Sequence, residues 1–241
     1  MVKIIEKLKK ELRKQADKKK AKLLQRFFKT GKGEYAEGDV FLGVIVPKQR
    51  KIAKDFFQKI SLKEIQELLN SKIHEERLVG LIMLVYKYKD KKISEEKKEE
   101  IYNLYLKNTK NINNWDLIDL TAPNIIGENL LKHPEKKKIL YKLAKSQHLW
   151  ERRIAVLSCF AFIREKQFED AVKISEILLK DKHDLIHKAV GWMLREIGKR
   201  DEKTLENFLI KHHKTMPRTM LRYSIEKLNE KRRKEFLNGV N

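Results

Sequence analysis

Residues 149–164 read Leu149-Trp150-Glu151-Arg152-Arg153-Ile154-Ala155-Val156-Leu157-Ser158-Cys159-Phe160-Ala161-Phe162-Ile163-Arg164. The charged first turn followed by ten residues with hardly a polar side chain predicts a helix buried among other helices, not one laid on a surface. Working outward, apolar helices recur at a rough interval. Taking Leu78, Trp115, Arg153 and Lys188 as equivalent positions gives a period of roughly 35–40 residues, the length of a two-helix repeat unit. Small residues fall at matching points: Gly80, Ala155, and the pair Ala189 and Gly191. No segment shows strand alternation. The expected fold is all-α, a HEAT-like α-solenoid of antiparallel helix pairs with a concave basic groove, built as a single domain over residues 1–241.

Local signals fill in the rest. Two helices broken near Ala16-Asp17 occupy residues 2–29. Gly31, Gly33, Gly38 and Gly43 mark a loop whose spacing is not that of a phosphate cradle, so it reads as a connector. Pro47 suits the first turn of a helix over 47–59, and Ser61 with Glu64 is a capping box for a helix over 61–70. Helices over 74–89 and 94–106 follow. The stretch Asn113-Asn114-Trp115-Asp116-Leu117-Ile118-Asp119 should then form a helix that Pro123 stops around Thr121 or Ala122. Further helices are expected near 123–132, over 134–146 with Pro134 in the first turn, and over 167–181, 183–199, 202–213 and 217–228.

The chain has 241 residues, 41% of them hydrophobic, enough for a sizeable core despite 37% charged residues. Lysine and arginine number 56 against 34 acids, a net charge of +22. Such an excess favours a polyanionic partner, because each neutralised phosphate releases condensed counterions. The one cysteine, Cys159, lies in the apolar run and excludes an internal disulfide framework. No apolar stretch approaches the roughly 18–20 residues of a membrane span, and the N-terminus lacks the apolar core of a signal peptide. The expectation is a reduced, cytoplasmic protein that does not bind membranes. Histidines are scattered, and no zinc or dinucleotide motif occurs, so neither a metal nor a cofactor is expected.

Within a helix, Trp115 and Asp119 stand four residues apart and share a face. On the repeat register, Arg153 and Trp192 occupy equivalent inner helices. Each residue also has a plain structural reading: the tryptophans as core, Asp119 as an ion-pair partner of Arg153 at a helix end. Trp150 reads as packing, and Asp116 as a first-turn acid favourable to the helix dipole. Lys188, Arg195, Arg218 and Arg222 are either phosphate contacts or solvated charge. A lone carboxylate can stabilise an oxocarbenium-like cation or position a water. With no second carboxylate placed as general acid, the leaving group would have to carry positive charge already, as an alkylated purine does. Physics permits such a DNA N-glycosylase without singling it out.

Three motifs, Trp115-Asp116-Leu117-Ile118-Asp119 with Ala122-Pro123, Leu149-Trp150-Glu151-Arg152-Arg153-Ile154-Ala155, and Lys188-Ala189-Val190-Gly191-Trp192-Met193-Leu194-Arg195-Glu196, resemble the AlkD-like DNA alkylation repair glycosylases. The likeness runs from about Phe27 to Glu226. It implies excision of 3- and 7-alkylpurines from duplex DNA by a HEAT-like superhelix, in base excision repair, by a chain acting as a monomer. The family's catalytic aspartate falls on Asp119, its groove tryptophans on Trp115 and Trp192, and its arginine near the lesion backbone on Arg153, with Arg152 the other candidate. Phe27 stands where the family pattern has tyrosine, so a DNA contact there lacks the hydroxyl. The alternative is a non-catalytic HEAT-repeat protein that binds damaged or branched DNA.

Overall fold

Helix starts follow the capping chemistry written in the sequence. Asp17, Ser61, Ser94 and Asp201 hold extended backbone and accept hydrogen bonds from the first turn that follows. Caps of this kind are worth about 1 kcal/mol each. At Ser61 the bond is reciprocal, with Glu64 reaching back to the Ser61 N–H, as the capping box predicts. The computed structural model describes residues 3–238, which form two units dividing after Thr121. Among these residues the fold is all-α, with one isolated bridge between Val40 and Ile73.

The first unit holds α1 (Ile4–Lys14), α2 (Lys18–Phe27), α3 (Val46–Phe56), α4 (Leu62–Leu69), α5 (His74–Tyr88), α6 (Glu95–Lys107) and α7 (Trp115–Asp119). At its centre is α5, against which α3, α4, α6 and α7 all pack. Leu78, Val79, Leu81, Met83 and Leu84 are buried there, each contributing about 1.5–3 kcal/mol. A Cβ on Gly80 would stand 3.3 Å from that of Leu68, so the small residue sets how closely α5 approaches α4. By contrast, α2 buries none of its residues.

The second unit holds α8 (Glu128–Lys132), α9 (Lys138–Ala144), α10 (Leu149–Arg164), α11 (Glu169–Ile177), α12 (Asp184–Gly198), α13 (Glu202–His212), α14 (Arg218–Ser224) and α15 (Glu230–Asn238). The apolar run observed in the sequence becomes α10, buried without a break from Arg153 to Cys159. It packs on α9, α11 and α12, and α12 packs on α14. Here Gly191 is obligatory: an added Cβ would fall 2.5 Å from Tyr223 Cβ and 2.6 Å from the Met220 carbonyl oxygen. Cys159 is fully buried, and burial pushes its thiol well above the ordinary range.

The expected stop ahead of Pro123 is present, slightly earlier than Thr121. α7 ends at Asp119, and after a turn the chain resumes at Ala122 and runs through a π-helical turn, Pro123–Gly127, into α8. A proline at the first position of a helical turn forfeits no bond, because that N–H would have no partner in any case. Pro134 similarly opens a 3-10 turn, Pro134–Lys136, and α9 begins only at Lys138.

Candidate functional site

α7 has five residues, and its two sides differ sharply. Asp116, Leu117 and Ile118 are buried, while Trp115 and Asp119, one turn apart, are both partly exposed. Buried Asn114 caps the helix by accepting from the Trp115 N–H at 2.8 Å. Behind it, the Tyr105 hydroxyl meets Thr121 Oγ1 at 2.9 Å, and Thr121 in turn donates to the Leu117 carbonyl. Burial, with the Asp119 charge adding to it, raises the Tyr105 hydroxyl far above its usual range. Asp119 thus ends a helix, as expected, partly exposed beside a buried, low-dielectric interior in which a charge acts at greater strength than in water.

Under α7 lies a buried polar cluster that opens α5. His74 Nδ1 donates to Asp39 at 3.1 Å and Nε2 to Asp116 at 2.9 Å. Arg77 donates to Asp39 at 2.7 Å, to Asn113 at 2.9 Å and to the Ser71 carbonyl at 2.8 Å. Asn113 also donates to Asp39 at 3.1 Å. Burial opposes the charge on His74, but the Asp116 and Asp39 carboxylates outweigh it and raise the imidazolium to about 9. Burial likewise works against ionised Asp39, and the His74 bond and Arg77 charge overcome it, leaving its carboxyl below the usual value. Asp116 therefore does more than face the helix dipole. Its Oδ1 caps the Leu117 N–H, and its Oδ2 is held by His74.

Aromatic rings join the same elements. Trp115 stacks on Phe28 at 5.1 Å, Phe28 on Phe41 at 5.0 Å, and Phe41 on the His74 imidazole at 4.4 Å. Phe27, 63% exposed, sets its edge against Trp115 at 6.0 Å. The glycine loop, read as a connector, has backbone donors satisfied from α5. The N–H groups of Leu42, Gly43 and Val44 all point at the buried carboxylate of Glu75, with Gly43 at 2.8 Å. At a φ of +84°, with the Asp17 carbonyl oxygen 2.2 Å from where a Cβ would lie, Gly43 admits no side chain.

In the second unit, Lys188, Trp192 and Arg195 share one partly exposed face of α12. Lys188 pairs with Asp184 at 2.6 Å, Arg195 with Glu226, and Trp192 sits 6.1 Å from the Phe160 ring. Arg153 is buried and donates to the Leu185 carbonyl at the start of α12. Half-buried Arg152 is held by Asp181 at 2.6 Å and by the Ser146 and Gln147 carbonyls. Arg218 and Arg222 are exposed, Arg218 donating to the Leu237 carbonyl. So the structure brings Trp115, Asp119 and Phe27 together in one unit and Lys188, Trp192 and Arg195 together in the other.

His74, Asp39 and Arg77 belong to no motif; the one signal for them is the run of four polar residues, His74-Glu75-Glu76-Arg77, that opens the apolar helix α5. Phe160, whose ring carries the Arg164 guanidinium 4.3 Å above it beside Trp192, likewise lies in an apolar run that gives no signal of its own. Among the described residues no three or more His, Cys, Asp or Glu side chains are placed to hold a metal ion, and no helix is long and apolar enough to cross a membrane.

Two solved structures are similar in fold. One, from Enterococcus faecalis and described as a predicted DNA alkylation repair enzyme, is 17% identical, with a TM-score of 0.71 over 90% of this chain and 98% of its own. The other, from Streptococcus mutans UA159, is 18% identical, with a TM-score of 0.56 over 77% of this chain and 92% of its own. No curated protein gives a match. A family model of DNA alkylation repair enzymes aligns with residues 8–228, and so takes in α7, the polar cluster beneath it and the exposed face of α12 alike. A match of that extent shows that the chain belongs to the DNA alkylation repair enzyme family.

Proposed function

We propose that the protein is a DNA N-glycosylase that hydrolyses the N-glycosidic bond of cationic 3- and 7-alkylpurines in duplex DNA. The observation that supports this reading is the exposed side of α7, which sets Asp119 one turn from Trp115, both partly exposed above a buried layer. Alkylation at a ring nitrogen gives the base a positive charge. When the C1′–N bond breaks, its electron pair leaves with the base, the base becomes neutral, and positive charge passes to the sugar. Asp119 meets that charge as it develops and orients the water that adds to C1′. The water's proton passes to solvent or the carboxylate. A leaving group of this kind needs no general acid.

The indole of Trp115 presents a π face to a cationic sugar, and the indole of Trp192 is a further DNA contact. Lys188, Arg195 and Arg218 contact phosphates, with Arg153 or its neighbour Arg152 at the lesion backbone and Phe27 as an apolar contact. The net charge of +22 supplies the field for a polyanion. In this reading the chain works in the cytoplasm as a monomer on a HEAT-like solenoid, without metal or cofactor.

The test is release of free base from duplex DNA carrying a single 7-methylguanine, compared with unmodified DNA. Release by the wild type and its loss in Asp119→Asn is the expected result. No release by the wild type, with tight and salt-dependent binding retained, overturns the reading in favour of a binding module.

A further inference from the structure

The geometry beneath α7 assigns a task to His74: we propose that it is a positioning residue, holding Asp116 and Asp39 at once and so fixing the turn that presents Trp115 and Asp119. This deepens the glycosylase reading and rests on it. A helix of five residues has no stability of its own, so its placement must come from anchors. One route from His74 runs through the Nε2 bond to Asp116, which lies between Trp115 and Asp119 in sequence and points to the opposite, buried side. The other runs through rings: His74 on Phe41, Phe41 on Phe28, Phe28 on Trp115. His74 is 1% exposed and its ring nitrogens face two carboxylates. Both nitrogens must therefore carry hydrogen to donate, which makes the ring a cation.

The charged groups around it balance. Asp39 approaches from the loop before α3, Asp116 from α7, and Arg77 from the next turn of the same helix, so two buried carboxylates meet two cations. Phe28 at the end of α2 and Phe41 from the loop cover the ring with carbon. A neutral side chain in place of His74 would leave α7 tied at Asn114 and Thr121 but released at its centre.

The experiment uses His74→Gln, with the full chain labelled with 5-fluorotryptophan and the Trp115 resonance identified through Trp115→Phe. Two readings are taken: single-turnover release of 7-methylguanine beside DNA affinity, and the fluorine spectrum of the free protein. Expected are a rate lowered about 10- to 100-fold, as for a misplaced reacting group, affinity changed by less than about twofold, and a shifted or broadened Trp115 signal with Trp150 and Trp192 unmoved. Asp39→Asn, which weakens the bridge at its far end, should give a smaller effect of the same pattern. Should His74→Gln not fold, Asp116→Asn, which keeps the Leu117 cap but weakens the His74 bond, replaces it with the same expectations. A folded variant with an unchanged rate, or with an unmoved Trp115 signal, overturns the proposal. If the wild type releases no base, the glycosylase reading falls, and the fluorine spectrum alone then decides for or against the positioning of α7.

Discussion

The Nε2–H of His74 lies 2.9 Å from the carboxylate of Asp116, the residue between Trp115 and Leu117 in the buried start of α7. Its partner on the other side, Asp39, comes from the loop, so a single ring ties two segments that are 77 positions apart in number yet adjacent in the first unit. This arrangement makes stability depend on pH in a definite way. The folded His74 titrates at about 9 against 6.5 when unperturbed, so its contribution is complete below 6.5, declines from there and is gone above about 9. Asp39, lowered from 3.8, contributes above that value and loses its contribution as the pH falls through the folded pKa. Urea unfolding followed from pH 6 to 10 should show a decline of a few kcal/mol that is absent in His74→Gln; a flat wild-type profile across that range would contradict it.

Asp119→Asn keeps shape and removes charge. Under the proposed mechanism it should slow base release by at least about 10²-fold, the usual effect of deleting one electrostatic catalyst. Circular dichroism and DNA affinity should stay near wild type, since Asp119 is partly exposed at a helix end. Trp115→Phe, which keeps an aromatic face on Phe28, should be milder than Trp115→Ala in the same assay.

Glu75 holds three backbone N–H groups of the loop while fully buried. Glu75→Ala orphans all three, at a cost on the order of 3 kcal/mol or more. Glu75→Gln is also unfavourable, because an amide NH2 set against backbone donors repels them. Both should appear as lower urea midpoints with the slope retained.

Gly191→Ala places a methyl against Tyr223 and the Met220 carbonyl. Overpacking of that kind costs about 1–3 kcal/mol, or a melting temperature lower by several degrees in a chain of this size. Because Trp192 is the next residue, DNA affinity should weaken in parallel, read by fluorescence anisotropy at fixed salt.

The proposed phosphate contacts separate by their salt dependence. Arg218→Ala should weaken binding uniformly across sequences and lower the slope of log K against log salt by about one. Asp184→Asn should do the reverse and tighten binding, because it removes the anion that pairs with Lys188. The pair is exposed, so stability should change by no more than about 1 kcal/mol.

Much of this was legible in the sequence where the physics is local. The apolar run at 149–164 became α10 with its ends as read, because a helix hydrophobic all round has one way to be buried. Trp150 was expected to pack and is 4% exposed. Trp115 and Asp119 share the outer side of α7 because a four-residue spacing fixes that in any helix. The stop ahead of Pro123 was equally local: α7 ends at Asp119, and the proline opens the next helical turn, where it costs no bond. The misses are of one kind. At His74, Asp39 and Glu75 the decisive partners are more than 30 positions away, and no periodicity reports a carboxylate delivered by another element. Asp116 shows both sides, since its role at the helix start was readable and its bond to His74 was not.

The burial of Cys159 has a use in measurement. As the sole thiol of the chain, seated in the middle of α10 and resistant to ionisation, it is closed to alkylating reagents while the native packing holds. Its modification in the absence of denaturant thus counts excursions in which the second unit opens, and the protection it shows gives the free energy of that opening from one residue. Introduced surface cysteines would react on a far faster timescale, so this protein can carry a single exposed probe without first losing its own sulfur.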